Sequence, residues 1–455
     1  MAAARSSIAA ESAGIPSVAV AMSTFVPLVT QLAKAERMPW LRTAEYPATI
    51  SVDSDETVRR NIAAITIQQI ITGLMEPVKS ESGPPARVLE EVVVTGPLER
   101  ISESFRQREW TDGLPIIPPT AEKIREFLRY TDREPHETVA VLRPGNLAAT
   151  PWNLAANGVM AGCDPRTMPI LIATAEAIGD PHYNLEQIGT TAGFVPFIFI
   201  NGPIIRQLNI QCGVGLISTG PNTALGRALG LIIRNIAGYK PGQQYMGTYG
   251  YILPFVLAED EEGCPWSPYH VEQGFSPDTS TVTAGGTFNW GFQAFPSGTD
   301  PEGLLKIICR QIVKHVNLDT SAHQGHMQGM TVALTRGVAH AIAAGGYTRK
   351  QVEEYLHLNS RVTMEEVHFE LKYGNSSGPG TTVRKLLEDG YNPPREWVDL
   401  GPESTVPVMG FPGNTHIVVC GDPNRNKAMP LYNCYSRLTT KQIELPAAWS
   451  DLLRQ

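Results

Sequence analysis

The sequence predicts an α/β protein: a small flavodoxin-like or Rossmann-like domain over residues 1–78, a linker at 79–90, and a larger α/β domain with long loops over 91–455. Three observations carry this. Short apolar runs alternate with stretches of helical spacing from one end of the chain to the other. The 455 residues are 42% hydrophobic, enough for more than one core. Gly 41 and Pro 36, with 18% charged residues and no period, mark many tight turns and buried loops rather than a coiled coil.

Taken in order, residues 6–11 have helical spacing, 15–21 form a short apolar run behind the turn signals Gly14 and Pro16, and 25–37 return to helical spacing. A short strand is expected at 50–52. Residues 54–74 follow as a helix, with Ser54 and Asp55 to cap it and Val58, Ile62 and Ile65 on one face. The run Ser82-Gly83-Pro84-Pro85 resists both ladder and helix and marks the linker. Beyond the valines at 92–94, Thr120 is a natural N-cap for a helix over 121–130. Helices are expected at 153–160, 169–178, 222–236, 304–316 and 349–358, and strands at 194–201, 330–334 and 415–420. Turn residues dominate 239–303, and the chain has no internal repeat.

Lys+Arg 37 against Asp+Glu 45 leaves a net charge of −8 with no basic run, which excludes nucleic acid as a partner. Six cysteines, at 163, 212, 264, 309, 420 and 434, form no CxxC pair and fit reduced thiols in a cytoplasmic protein. The largely apolar stretch 14–33 is interrupted by Pro16, Ser17, Ser23, Thr24 and Pro27, so neither a targeting peptide nor a membrane span is expected. No strand is followed by the glycine fingerprint of a nicotinamide or flavin site.

Chemistry-bearing residues gather in five places. Between Gln211 and Arg227 a small-residue loop runs into a helix. Free amides at the helix start, the hydroxyls of Ser218 and Thr219, the amide of Asn222 and the guanidinium of Arg227 suit an anion or carboxylate; a capped turn that holds a packed helix is the alternative. In 258–270 four carboxylates precede Cys264, Trp266 and His270. Glu262 and His270 are the candidate proton-transfer groups there, Trp266 is a candidate substrate contact, and Glu259 and Asp260 read as a solvated face. His323 and His326 stand three apart, which on one helical turn allows a shared divalent metal ion. Gly325 and Gly329 weaken a helix there, so hydrogen bonding to a polar ligand or to backbone stands beside the metal. Cys163, between a helix and a turn, is the candidate thiol if a helix end or Arg lowers its pKa, and a small buried hydrophobe otherwise. Asn424 and Arg425 lie on a loop that follows a strand, where α/β folds place ligand contacts.

These motifs carry a resemblance. Residues 8–20, Ile-Ala-Ala-Glu-Ser-Ala-Gly-Ile-Pro-Ser-Val-Ala-Val, with Phe25-Val26-Pro27-Leu28, resemble the small selenoproteins named for a Sec-Gly-Ser-Cys motif, the UGSC proteins, and more distantly the B-type subunits of glycine and betaine reductases. The segments 110–120, 157–163, 226–235, 265–270 and 280–283 resemble the large proteins encoded beside, or fused to, those selenoproteins. The resemblance implies an enzyme with a redox motif ahead of its first helix. This chain has no Cys before Cys163, and three origins of that motif stay open: it is lost, it is encoded upstream of Met1, or another polypeptide supplies it.

The reading that joins these observations is a lyase-like or reductase-like enzyme that cleaves a carbon–heteroatom bond of a small polar or anionic substrate. Cys163 or a thiol partner would act with Glu262, His270 and His323. It requires the turn leading to Arg227 to face a cavity shared with His270 and the histidine pair. Beside it stand a metal-dependent lyase or hydratase built on His323, His326 and a carboxylate such as Glu262, and a non-catalytic partner subunit of a thiol or selenol redox protein. The apolar, Gly-rich stretches 153–178 and 222–236 suit a homo-oligomer interface.

Overall fold

The computed structural model describes residues 2–50, 53–76, 90–187, 191, 193, 195–249, 253–289, 292–324, 328–374, 381–409, 413–434 and 437–454. The expected linker, apart from Glu90, lies outside the described residues, as do positions 51–52 of the expected strand.

The amino-terminal unit pairs two short parallel strands, β1 (Ala19–Met22) and β2 (Thr43–Tyr46). The helices Ala2–Ser12 and Val26–Ala35 cover them, and Ala4, Ala19, Val29, Leu32, Ala33 and Leu41 form its core. Ser54 caps the helix Asp55–Asn61 by accepting from Thr57 N, and the chain stays helical through a π-turn, Ile62–Thr66, into Ile67–Met75. Arg42 ties this unit together, donating to the Gly73 carbonyl (2.8 Å) and pairing with Glu11. Arg5 reaches Glu186 of the larger unit at 2.8 Å.

The larger unit contains β3 (Ala140–Leu142), β4 (Leu147–Ala149), β5 (Val195–Asn201), β6 (Phe255–Ala258), β7 (Thr281–Thr287), β8 (Gln328–Leu334), β9 (Arg361–Thr363), β10 (Thr405–Pro407), β11 (Thr415–Val419), β12 (Ala428–Cys434) and β13 (Thr439–Gln442). Two mixed sheets form its centre, one ordered β13-β7-β5-β6 and one ordered β11-β8-β12. β3–β4 and β9–β10 are small antiparallel pairs.

Side-chain alternation sets the layers. Along β5, Phe197 and Phe199 point at Val418 and Leu431 of the second sheet, while Ile198 and Ile200 point outward. The outward face packs under the helices Pro151–Ala161, Met168–Gly179 and Gly220–Asn235. In the same way Met330, Val332 and Ile417 of the second sheet face the helices Pro301–Val313 and Arg349–Asn359. The result is four layers: helices, sheet, sheet, helices.

The mixed α/β class agrees with the sequence reading, but the stretch expected to be turns, 239–303, holds two strands. β7, Thr-Val-Thr-Ala-Gly-Gly-Thr, has little apolar signal of its own; it is a strand because β5 and β13 pair with its two edges. Its glycines make room for a neighbour, since a Cβ on Gly285 would sit 2.5 Å from Phe197 Cζ. No helix among the described residues is long and apolar enough to cross a membrane.

Candidate functional site

Between the two sheets the inward positions change character along the strands. They are apolar in the middle and polar where β8 and β11 begin. Thr331 Oγ1 donates to Asn433 Oδ1 (2.8 Å), Asn433 Nδ2 donates to the Gly286 carbonyl (2.7 Å), and the Thr283 and Thr440 hydroxyls meet at 2.9 Å. Gly329 lets the start of β8 approach the Asn414 backbone, because a Cβ there would lie 2.8 Å from the Asn414 oxygen. Beside them lies a cleft of about 230 Å³ lined by Tyr269, His416, Asn414, Asn433, Arg437 and Thr440 among others. That is room for a small polar molecule. A wider groove beside residues 92–108, about 590 Å³, runs over the surface and lacks any histidine or tyrosine.

Tyr269 and His416 face each other across the cleft wall. Tyr269 opens the short helix Tyr269–Glu272, and its ring stands edge-on to Phe199 with centroids 4.9 Å apart. Its hydroxyl lies 3.1 Å from His416 Nδ1. Burial pushes the Tyr269 phenol well above its ordinary pKa, so it keeps its proton. Enclosure of the His416 ring takes its pKa down to about 4, so the imidazole is neutral at physiological pH. With these protonation states Tyr269 donates and Nδ1 accepts, which assigns the ring hydrogen to Nε2.

Behind Tyr269 lies a web of buried charge. The carboxylate of Glu259 accepts from Tyr269 N (2.7 Å) and Asn201 Nδ2 (2.5 Å) and pairs with Arg349 at 2.9 Å. Both charged residues are about 1% exposed. Arg349 also lies 3.3 Å from Glu272 and beneath the rings of Trp266 and Tyr269. The carboxylates at 259 and 260, expected on a solvated face, are instead buried and paired, Asp260 with Arg336.

The residues singled out in the sequence occupy several separate surroundings. In the 211–227 loop the polar groups are spent on the loop itself. Asn222 accepts from Gln211 N and donates to the Gln211 carbonyl, both at 2.9 Å, while the hydroxyls of Ser218 and Thr219 donate to the Gly215 carbonyl. Arg227 pairs with Asp112 at 2.9 Å and donates to the carbonyls of Leu114 and Pro115. Glu262 is exposed, paired with Arg206. His270 is fully buried, with Nδ1 3.4 Å from Glu261 and neither ring nitrogen hydrogen-bonded. Trp266 donates to the Tyr347 carbonyl (2.9 Å). Asn424 and Arg425 are exposed and fold back on Asp422.

His323 lies on the helix Leu318–Gln324, its Nδ1 2.8 Å from the Asp319 carbonyl and 3.0 Å from the Asp319 carboxylate. Burial pulls its pKa down, but the hydrogen bonds and charge of Asp319 outweigh that and leave it above the ordinary value. His326 lies outside the described residues. Among the described residues no group of three or more His, Cys, Asp or Glu side chains is placed to hold a metal ion. Cys163 is buried in the helical core, and burial pushes its thiol up to about 12. The contacts of Arg227, His270 and His323 place these three in separate surroundings rather than around the one cavity expected to join them. The cleft is built on Tyr269 and His416, neighbours in sequence of residues read for other reasons.

Residues 1–76 match the family model described as the UGSC family. No curated protein and no solved structure matches the chain.

Proposed function

We propose that this chain, which carries a UGSC-family segment at residues 1–76, is an enzyme that cleaves a carbon–heteroatom bond of a small polar or anionic substrate by acid–base elimination in the inter-sheet cleft. The observation that carries the reading is the 3.1 Å contact between the Tyr269 hydroxyl and His416 Nδ1 on the cleft wall. Asn414, Asn433 and Thr440 offer amide and hydroxyl groups to the substrate, and Arg437 offers a positive charge to an anionic end.

In this reading substrate turns the Tyr269 hydroxyl from His416 Nδ1 to the leaving heteroatom; the freed Nδ1 takes the proton from the carbon adjacent to the one that bears that atom, and the C–H electron pair becomes the new double bond. The bond to the heteroatom breaks, and that atom leaves with the phenolic proton of Tyr269. The imidazolium then returns a proton to the phenolate, whose ring has the Arg349 guanidinium carbon 5.9 Å from its centroid. H–C–C–X becomes C=C and HX, and the pair regains its starting state. Acid–base chemistry is preferred to a thiol route because none of the described residues that line the cleft is a cysteine, whereas Tyr269 and His416 both line it. Among the described residues Cys163, Cys212, Cys264, Cys309 and Cys420 are unpaired, which supports a reducing, cytoplasmic setting.

A panel of 2- and 3-hydroxy acids, amino acids and their β-substituted derivatives, monitored by absorbance of the new double bond, tests the reading. Tyr269→Phe and His416→Asn are expected to lower kcat by about 10²- to 10⁴-fold. A panel that the wild type does not turn over, or variants that match the wild type, overturn it. The UGSC match favours a second reading, a chain that works beside a thiol or selenol protein. A stable complex with a thiol or selenol protein, formed equally well by the Tyr269→Phe variant, would support that one.

A further inference from the structure

We infer that Arg349 is the positioning residue of the cleft: one buried guanidinium holds the Tyr269 wall and the His416 wall at once, with Glu353 as a second grip on the His416 wall. The inference rests on the acid–base reading of Tyr269 and His416.

β11, which carries His416, is an edge strand whose partner is β8. In a parallel edge strand every second residue turns both its N–H and its C=O away from the sheet, and those groups need partners elsewhere. For Ile417, the residue after His416, both partners come from one helix. Arg349 Nη1 donates to the Ile417 carbonyl (2.5 Å), and Glu353 Oε1 accepts from Ile417 N (3.1 Å). Arg349 and Glu353 are four apart on the helix Arg349–Asn359 and so share a face. Thr348 and Gln351 close a capping box at that helix's start, which fixes its first turn.

The same guanidinium reaches the segment that carries Tyr269. Arg349 Nη2 donates to Glu259 Oε1 (2.9 Å) and to the Ser267 carbonyl (2.7 Å), and the other oxygen of Glu259 accepts from Tyr269 N (2.7 Å). The path from the Ile417 peptide to the Tyr269 peptide thus runs through one side chain and one carboxylate. An arginine fits this task because its donors form a rigid planar fork; a lysine has a single nitrogen and cannot span both walls. Buried ion pairs add little net stability over apolar packing, so what this one contributes is geometry.

The test uses Arg349→Lys, Glu353→Gln and Glu353→Ala in the full chain, with histidine ring nitrogens labelled with ¹⁵N for NMR titration of His416, thermal unfolding, and kcat and KM on whichever panel substrate the wild type turns over. Arg349→Lys is expected to fold, to raise the His416 titration by about one pH unit or more as water enters the loosened wall, and to lower kcat about tenfold or more with KM within about twofold. Glu353→Gln keeps an acceptor for Ile417 N and leaves the His416 titration within a few tenths of a pH unit of the wild type; Glu353→Ala moves it in the direction of Arg349→Lys. A lowered unfolding temperature with His416 unchanged in both Arg349→Lys and Glu353→Ala overturns the inference. Should Arg349→Lys fail to fold, the two Glu353 variants decide. A Tyr269→Phe variant of full activity, together with a shifted His416 in Arg349→Lys, sinks the acid–base reading and leaves the positioning role standing.

Discussion

The backbone amide of Asp260 donates to the Val419 carbonyl at 2.7 Å, joining the first sheet to the second at the ends of β6 and β11. The same residue grips Arg336 through two hydrogen bonds, 2.9 Å to Nε and 2.8 Å to Nη2. The join therefore holds a carboxylate that is 8% exposed and depends on one cation.

That dependence can be read through Gly263. A Cβ placed there would come within 1.8 Å of Arg336 Nε, so Gly263→Ala must expel the guanidinium and leave Asp260 without its partner. The expected loss is about 1–3 kcal/mol in urea unfolding. Arg336→Ala should cost a similar amount, and the double variant little more than Arg336→Ala alone, because both changes break one contact. Additive losses would show that the crowding at Gly263 and the ion pair are unrelated.

Gly226 offers a test of how the helix Gly220–Asn235 sits on the first sheet. A Cβ at this position would lie 2.5 Å from the Pro254 carbonyl oxygen, just ahead of β6. Alanine is the better helix former by about 1 kcal/mol. Gly226→Ala is nevertheless expected to destabilise by about 1–3 kcal/mol, because the backbone it meets cannot move aside as a side chain would. A variant as stable as the wild type would mean that helix and strand are farther apart than described.

The cysteines are expected to react in an order set by access. Cys212 is half-buried, whereas Cys163, Cys309 and Cys420 are buried, with Cys163 pushed up to about 12 and Cys309 to about 11 by loss of solvent. Alkylation of the native chain near neutral pH, followed by mass mapping, should modify Cys212 well before these three. Selective early modification of Cys163 would restore the thiol route that its surroundings now disfavour.

How much of this was legible depends on whether the signal is local. β5 is a continuous apolar run and reads as a strand buried on both faces; the capped amphipathic helices read equally well. β7 does not, because its Thr and Gly residues become a strand only through β5 and β13. The site follows the same division. Tyr269 adjoins His270, and imidazole is the natural choice on chemistry alone, yet the short helix after Pro268 sends His270 into a closed interior beside Glu261 and Tyr269 toward His416. His416 interrupts the apolar strand at 415–420, a visible polar break. Whether that position faces a cleft depends on a second sheet whose strands lie far away in the chain.

The two groups on β11 and its covering helix should oppose each other in pH. Burial raises Glu353 to about 7 from its ordinary 4.5, so its folded form holds a proton that the unfolded chain has lost. Stability present below about pH 4.5 is then lost as pH rises toward 7. His416 runs the other way: its folded pKa of about 4 lies below the ordinary 6.5, so stability is absent at low pH and gained as pH rises through that interval. Each effect is worth about 3 kcal/mol at full extent, and between about pH 4.5 and 6.5 their slopes cancel. Relative to the wild type, Glu353→Gln should therefore gain stability with rising pH across this window, and His416→Asn should lose it. Urea unfolding at closely spaced pH values checks both. If the two variants track the wild type in parallel, Glu353 and His416 are not buried as their shared peptide, Ile417, requires.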